Sequence, residues 1–208
     1  MALPDGALEP ADLTRQRLID AAVAVFTESG YDRAGVQEIA RRAGLTTGAI
    51  YGRFRGKAEL LQAAIEACAN DELDELFASG ELAGRVPDIL TTAGSHLVTP
   101  SQTDESEWAL LLEAFVAARR DVEVRGQLQE RVAERHERFA DAVDSAKADG
   151  TIDAALDTES IVTFAHAVGL GFVLLDALAL PLPKATPWEQ LITRLVAALA
   201  PANDTKGE

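Results

Sequence analysis

Apolar residues recur along this chain at spacings of three and four, the period of an α-helix, and no convincing alternating strand run interrupts them. In LTRQRLIDAAVAVFTESG, Leu18, Ala22, Val25 and Phe26 fall on one stripe, with Thr14 reading as the N-cap and Gly30 as the stop. VQEIARRAG predicts a short second helix with Val36, Ile39, Ala40 and Ala43 inward, ended by Gly44. TTGAIYGRF predicts a third, whose apolar side is Ala49, Ile50 and Phe54. A fourth runs from about Lys57 to Phe77 through Leu60, Leu61, Ala64, Ile65, Cys68, Leu73 and Leu76.

The rest of the chain continues in the same manner. A helix is expected from Pro87 to about Val98, and Pro100 breaks it. ESEWALLLEAFVAARRD turns Trp108, Leu111, Leu112 and Phe115 inward. A long helix ending at Gly150 lines up Leu128, Val132, Phe139 and Val143. Asp157 caps a helix to about Ala179, and a last one runs near Trp188 to Leu199. The fold class predicted is therefore all-α.

One segment, Ile161 to Leu182, is almost entirely apolar and about long enough to cross a bilayer. His166 and Asp176 lie inside it and no Lys/Arg cluster flanks it, so it reads as a helix buried on two sides. One side would face its own domain and the other a second chain, with Gly169 and Gly171 permitting close approach. No membrane span is expected.

Composition narrows the classes. The chain has 208 residues, 48% hydrophobic and 25% charged, enough for a core without staples. Cys68 is its one cysteine, which excludes an internal disulfide and any metal site made of several cysteines. The acidic start MALPDGALEPAD has none of the basic and apolar regions of an export signal, so a cytoplasmic location is expected. His96, His136 and His166 fall on different predicted helices without metal-ligand spacing, and Glu107 and Glu113 could be paired carboxylates or, equally, part of a solvated helix face. No metal, cofactor or catalytic group is predicted, and the chain is not read as an enzyme.

Charge changes the picture more. The net charge is −15, yet residues 1–57 hold eight Lys+Arg against seven Asp+Glu, leaving 11 against 27 for the remainder. Between Arg33 and Lys57 six cations meet one acid, Glu38. An acidic body repels DNA, so only this local basic face could dock on it.

The same stretch carries a helix-turn-helix pattern in AGLTTGAIYGRFRGK. Gly44 stops the first helix abruptly, Leu45 plugs the angle and the Thr46 hydroxyl caps the next helix. Thr47, Gly48 and Ala49 are small enough to let that helix sit deep in a major groove, where Thr46 and Thr47 can offer hydroxyl or methyl groups to base edges. Tyr51 can donate to a phosphate, Arg53 can reach a phosphate or a guanine, and Lys57 sits at a helix N-terminus suited to an anion. Gln37 is a further phosphate candidate, while Arg41 and Arg42 are read equally as DNA contacts or as a solvated face.

On Phe26, Gly30, Tyr31, Ile39, Ala40, Ala43, Gly44, Leu45, Gly48, Ile50, Tyr51, Phe54, Lys57 and Leu60, residues 14–61 resemble the N-terminal domain of the TetR family of transcriptional regulators. Gly35 departs from a common Ser or Thr, and Gly52 from a common large polar residue. The resemblance implies a flexible segment at 1–13, a three-helix DNA-binding domain at 14–56, a larger effector-binding and dimerisation domain at 57–200 and a flexible tail at 201–208. It implies a homodimer through helices near 158–179 and 187–199, and double-stranded operator DNA of palindromic sequence as partner. A small-molecule effector would meet Ile65, Cys68, Trp108, Leu112, Phe115, Phe139 and His166. The fourth helix would act as lever, Lys57 at its DNA end and Ile65 and Cys68 at its regulatory end, so that ligand releases a repressor. The competing reading is an enzyme or carrier using the helical body for a small molecule, with a merely structural helix-turn-helix.

Overall fold

The computed structural model describes residues 10–68, 98 and 102–201. Among these the regular elements are α1 Pro10–Ser29, α2 Val36–Ala43, α3 Thr47–Tyr51, α4 Lys57–Cys68, α5 Gln102–Ala117, α6 Val122–Ala148, α7 Thr158–Ala177 and α8 Ala185–Ala197, all of them helices. The all-α expectation is met. The expectations for residues 1–9, for the end of the fourth helix past Cys68, for the helix over 87–98 short of Val98, for His96 and for residues 202–208 lie outside the described residues.

The chain divides into two compact units, Met1–Ala69 with Thr103–Glu130, and Asn70–Gln102 with Arg131–Glu208. This grouping differs from a division at residues 56 and 57. The physical reason is the core of the first unit. Phe26, Leu18, Ile19, Ile39, Ile50, Leu60 and Leu61 are fully buried in the head, and Leu110, Ala114 and Ala117 of α5 with Val124 and Leu128 of α6 belong to the same apolar cluster. Each such Leu, Ile or Phe contributes roughly 1.5–3 kcal/mol by leaving water, so α4 is bound to its neighbours on both sides.

Local signals explain most boundaries. Helix α1 begins at Pro10, a residue suited to a first turn, so Thr14 lies one turn inside the helix and is not its cap. Gly30 and Gly44 adopt left-handed φ of 76° and 66°, a region where a Cβ is costly, and each ends a helix as expected. At Gly44 the N–H donates to Arg41 O and the next N–H, of Leu45, to Ala40 O.

The second unit is built on Phe139, Ala142, Val143 and Ala146 of α6, packed with Ile152 and with Val162 of α7. Asp157 caps α7 as predicted, its carboxylate accepting from Ser160 N at 2.8 Å. Asp153 N donates to Leu199 O at 2.8 Å, which ties the loop before α7 to the end of α8. Phe172 of α7 meets Trp188 of α8 edge to face, centroids 4.9 Å apart.

Candidate nucleic-acid interface

Helix α3 is only five residues long, and its orientation follows from one side chain. Ile50 is fully buried in the head core, which obliges the opposite side of the turn to face out. Thr46 and Gly48 are exposed, Thr47 and Ala49 half-exposed, and Tyr51 stands 60% exposed one turn beyond Thr47. Arg53 is exposed in the following turn, its guanidinium 3.4 Å from Ala49 O, and Gln37 is exposed near the start of α2. Thr46 takes the N-cap position with extended backbone, but its hydroxyl makes no capping hydrogen bond. That corrects the expected cap, and Thr46 is exposed. Gly35, the N-cap of α2, is extended as well and carries no side chain to cap with. Leu45 packs partly buried against the core, as a plug between α2 and α3 should.

Lys57 departs from expectation. Its ammonium is not presented outward beside Tyr51 and Arg53; it is turned to the loop after α1, donating to Tyr31 O at 2.7 Å, Ala34 O at 3.3 Å and Asp32 O at 3.5 Å. It also lies 4.2 Å from the centre of the Tyr31 ring. Carbonyls left without amide partners in the loop draw the cation inward. Lys57 therefore braces the loop that joins α1 to α2.

Several functional neighbours escaped the sequence reading because their partners are distant in the chain. Arg17 of α1 donates to Ala43 O at 2.6 Å, fixing the C-terminal end of α2 where the turn begins. Tyr31 is buried; its N–H donates to Glu113 Oε2 at 2.9 Å and its hydroxyl to Asp121 Oδ2 at 3.0 Å. Burial first, then the Asp121 carboxylate, pushes the Tyr31 phenol well above its ordinary range. Asp121 in turn caps α6 through Glu123 N and Val124 N at 3.0 and 3.2 Å. Glu113 is thus engaged and half-buried, and Glu107 is buried, so neither belongs to a solvated face.

The two ambiguous arginines are occupied. Arg41 makes a bidentate pair with Glu38 at 2.8 and 2.7 Å. Arg42 is held by Glu38 at 2.9 Å and by both oxygens of Glu28 at 2.7 and 2.6 Å. The Arg41 contact first, then that of Arg42, holds the Glu38 carboxyl down to about 2.

The residues expected to meet an effector fall in both units. In the first, Ile65 and Cys68 belong to the apolar core, Phe115 packs against it, Trp108 is buried and Leu112 half-buried. In the second, the Phe139 and His166 rings approach to 6.4 Å, and His166 also faces His136 at 5.6 Å. Burial first, then His136, lowers the pKa of His166. Among the described residues no cluster of His, Cys, Asp or Glu could hold a metal ion.

A buried three-helix head that presents a short helix of small residues, flanked by an exposed tyrosine and arginine, is the architecture of a helix-turn-helix DNA-binding protein. Residues 18–64 match the family model of bacterial regulatory proteins of the tetR family. The chain is 53% identical to the HTH-type transcriptional regulator SrpR of Pseudomonas putida over 55 residues, 26% of each protein. To the HTH-type transcriptional regulator TtgR, also of Pseudomonas putida, it is 30% identical over 176 residues, covering 78% of this chain and 80% of TtgR. The fold resembles that of NalD, described as the secondary repressor of the MexAB-OprM multidrug efflux pump in Pseudomonas aeruginosa, with a TM-score of 0.69 and 21% identity over 93% of this chain and 99% of NalD. The chain belongs to the TetR family of DNA-binding transcriptional regulators.

Proposed function

We propose that the chain is a homodimeric, ligand-responsive repressor that leaves a palindromic operator when a small, largely apolar molecule binds. The observation that carries the DNA part is the outward face of α3, set by the burial of Ile50 beneath Thr47, Gly48 and the 60% exposed Tyr51. In this reading Thr46, Thr47, Gly48 and Ala49 meet base edges, Tyr51 and Gln37 meet phosphates and Arg53 meets a phosphate or guanine. Lys57 contributes by holding the loop rather than by touching DNA. The repressor sign is supported by NalD, whose own description is that of a repressor.

Dimer formation is supported by the apolar side chains that α7 leaves exposed, Phe164, Leu170 and Leu174, by Leu178 just past its end, and by Leu191 and Leu195 of α8. A two-fold dimer sets two reading helices about 34 Å apart, one turn of DNA, which calls for an operator with matching symmetry. For the effector, Ile65, Cys68, Trp108, Leu112 and Phe115, all of the first unit, are the proposed contacts, and the chain is placed in the cytoplasm. An effector that favours the released state by about 1–3 kcal/mol weakens DNA binding about 5- to 150-fold.

Selection of duplexes from random DNA with purified protein tests this reading. The expected product is a palindromic sequence, bound more weakly by Arg53→Ala and Tyr51→Phe and released by an apolar compound. Recovery of no preferred duplex, or unchanged affinity in both variants, would refute it.

A further inference from the structure

The head carries six cations between Arg33 and Lys57, yet the structure takes Arg41 out of that set. Arg41 stands four residues after Gln37, on the same face of α2, and its side chain is 72% exposed, where an approaching phosphate could meet it. Its guanidinium is instead closed in a fork on both oxygens of Glu38. Exposed pairs of this kind add little to folding stability, so their effect is sought in the charge they withhold. Arg42 differs: Glu28 on α1 holds it through two further bonds, which would persist without Glu38.

We infer that Glu38 is a positioning residue that keeps Arg41 off the phosphate backbone and so lowers the sequence-independent attraction of the head for DNA. The inference rests on the DNA-binding reading above. Sequence-independent affinity is electrostatic, and each phosphate contact adds about 0.9 to the slope of log K against log salt. Because a genome offers a vast excess of wrong sites, a cation withheld from all phosphates reduces time lost on them. Glu38 is the one acid in this stretch, and it pairs with Arg41 through both oxygens while sharing Arg42 with Glu28.

The test is binding to a random-sequence duplex over about 50–200 mM salt, for wild type, Glu38→Gln, Arg41→Gln and the double variant. Glu38→Gln is expected to bind more tightly at low salt, with a slope steeper by about one unit. Arg41→Gln, which leaves the Glu38 carboxylate without its bidentate partner, is expected to bind somewhat more weakly than wild type, and the double variant to match wild type. A Glu38→Gln variant that keeps its helical circular dichroism but not the steeper slope overturns the inference, as does a double variant that binds as tightly and with as steep a slope as Glu38→Gln alone. Should Glu38→Gln fail to fold, Glu38→Ala with and without Arg41→Gln decides the matter by the same comparison. Wild-type protein that retains no duplex at low salt removes the DNA reading and this inference together, whereas a wild type that binds with an unchanged Glu38→Gln removes only the inference.

Discussion

The ammonium of Lys57 donates to the backbone oxygen of Tyr31 at 2.7 Å while lying 4.2 Å from the centre of the same residue's ring. One cation thus holds both the main chain and the side chain of Tyr31, two residues past the end of α1. With the Ala34 carbonyl also on Lys57, replacement by methionine leaves partly buried oxygens without that donor. A charge-assisted bond of this kind is worth about 1.5–3 kcal/mol, so Lys57→Met is expected to lower the unfolding free energy by that amount, seen as a lower urea midpoint at unchanged slope. DNA affinity should fall as well, with a salt slope changed by much less than one unit, because the charge does not meet phosphate. A flattening by a full unit would place Lys57 on the backbone after all.

Gly30 and Gly126 make opposite predictions from the same substitution. At Gly30 the backbone is left-handed, and a Cβ would stand 2.9 Å from Glu113 Oε2, itself bonded to Tyr31 N. Gly30→Ala is expected to destabilise by about 1–2 kcal/mol from the backbone alone, and more if Glu113 must move. Gly126 lies inside α6 with nothing within 4 Å of its virtual Cβ. Gly126→Ala should stabilise by about 0.5–1 kcal/mol through the unfolded chain and helix propensity. Thermal melts of the two variants beside wild type should move in opposite directions.

These examples also mark what the amino-acid order made legible. Gly44, Gly30 and the Asp157 cap act on neighbours within four residues, and the helical period carries the same local information, so elements and ends could be read directly. The outward face of α3 followed from Ile50 and Phe54 being apolar, which the period also records. What could not be read were contacts between chemically ordinary residues far apart: Arg42 with Glu28 across 14 positions, Lys57 with Tyr31 across 26, Tyr31 with Asp121 across 90. An arginine, a lysine or a glutamate on a helix surface is compatible with many partners, and only the packing of α1 on its neighbours selects one. The same packing joins α5 and the start of α6 to the head, a grouping that no linker composition signals.

Asp121 gives the chain an acid-sensitive joint. Burial pushes its carboxyl up, but the N–H groups of Val124 and Glu123 and the Tyr31 hydroxyl outweigh that and hold it below the usual aspartate range. The folded chain therefore favours the carboxylate more than the unfolded chain does. The resulting stability is fully present above the ordinary aspartate value near 3.9 and is lost as pH falls through the depressed one. Asp121→Asn should be less stable at neutral pH, and the gap to wild type should close as pH drops from about 5 toward 2. Tyr31→Phe, which removes one of the three donors, should cost about 1 kcal/mol at pH 7 and show part of the same convergence. A gap that persists unchanged at low pH would mean that Asp121 acts by shape alone.

Helix α7 is long and apolar enough to cross a membrane by length and composition, yet just 22% of its apolar window is buried. Phe164, Leu170, Leu174 and Leu178 must therefore be covered by something other than this chain's described residues, or remain in water at a cost. A two-fold axis would bury each of them twice, and removing one leucine from such an interface forfeits about 3–6 kcal/mol per dimer. Leu174→Ala is thus expected to weaken self-association by roughly 10²- to 10⁴-fold, and Leu174→Glu, which adds a charge to bury, by more. Sedimentation should show wild type as a dimer and Leu174→Glu as a monomer at micromolar concentration, with both recovered without detergent. Wild type that sediments as a monomer, or that partitions into lipid vesicles, would count against the dimer and for another cover on this face.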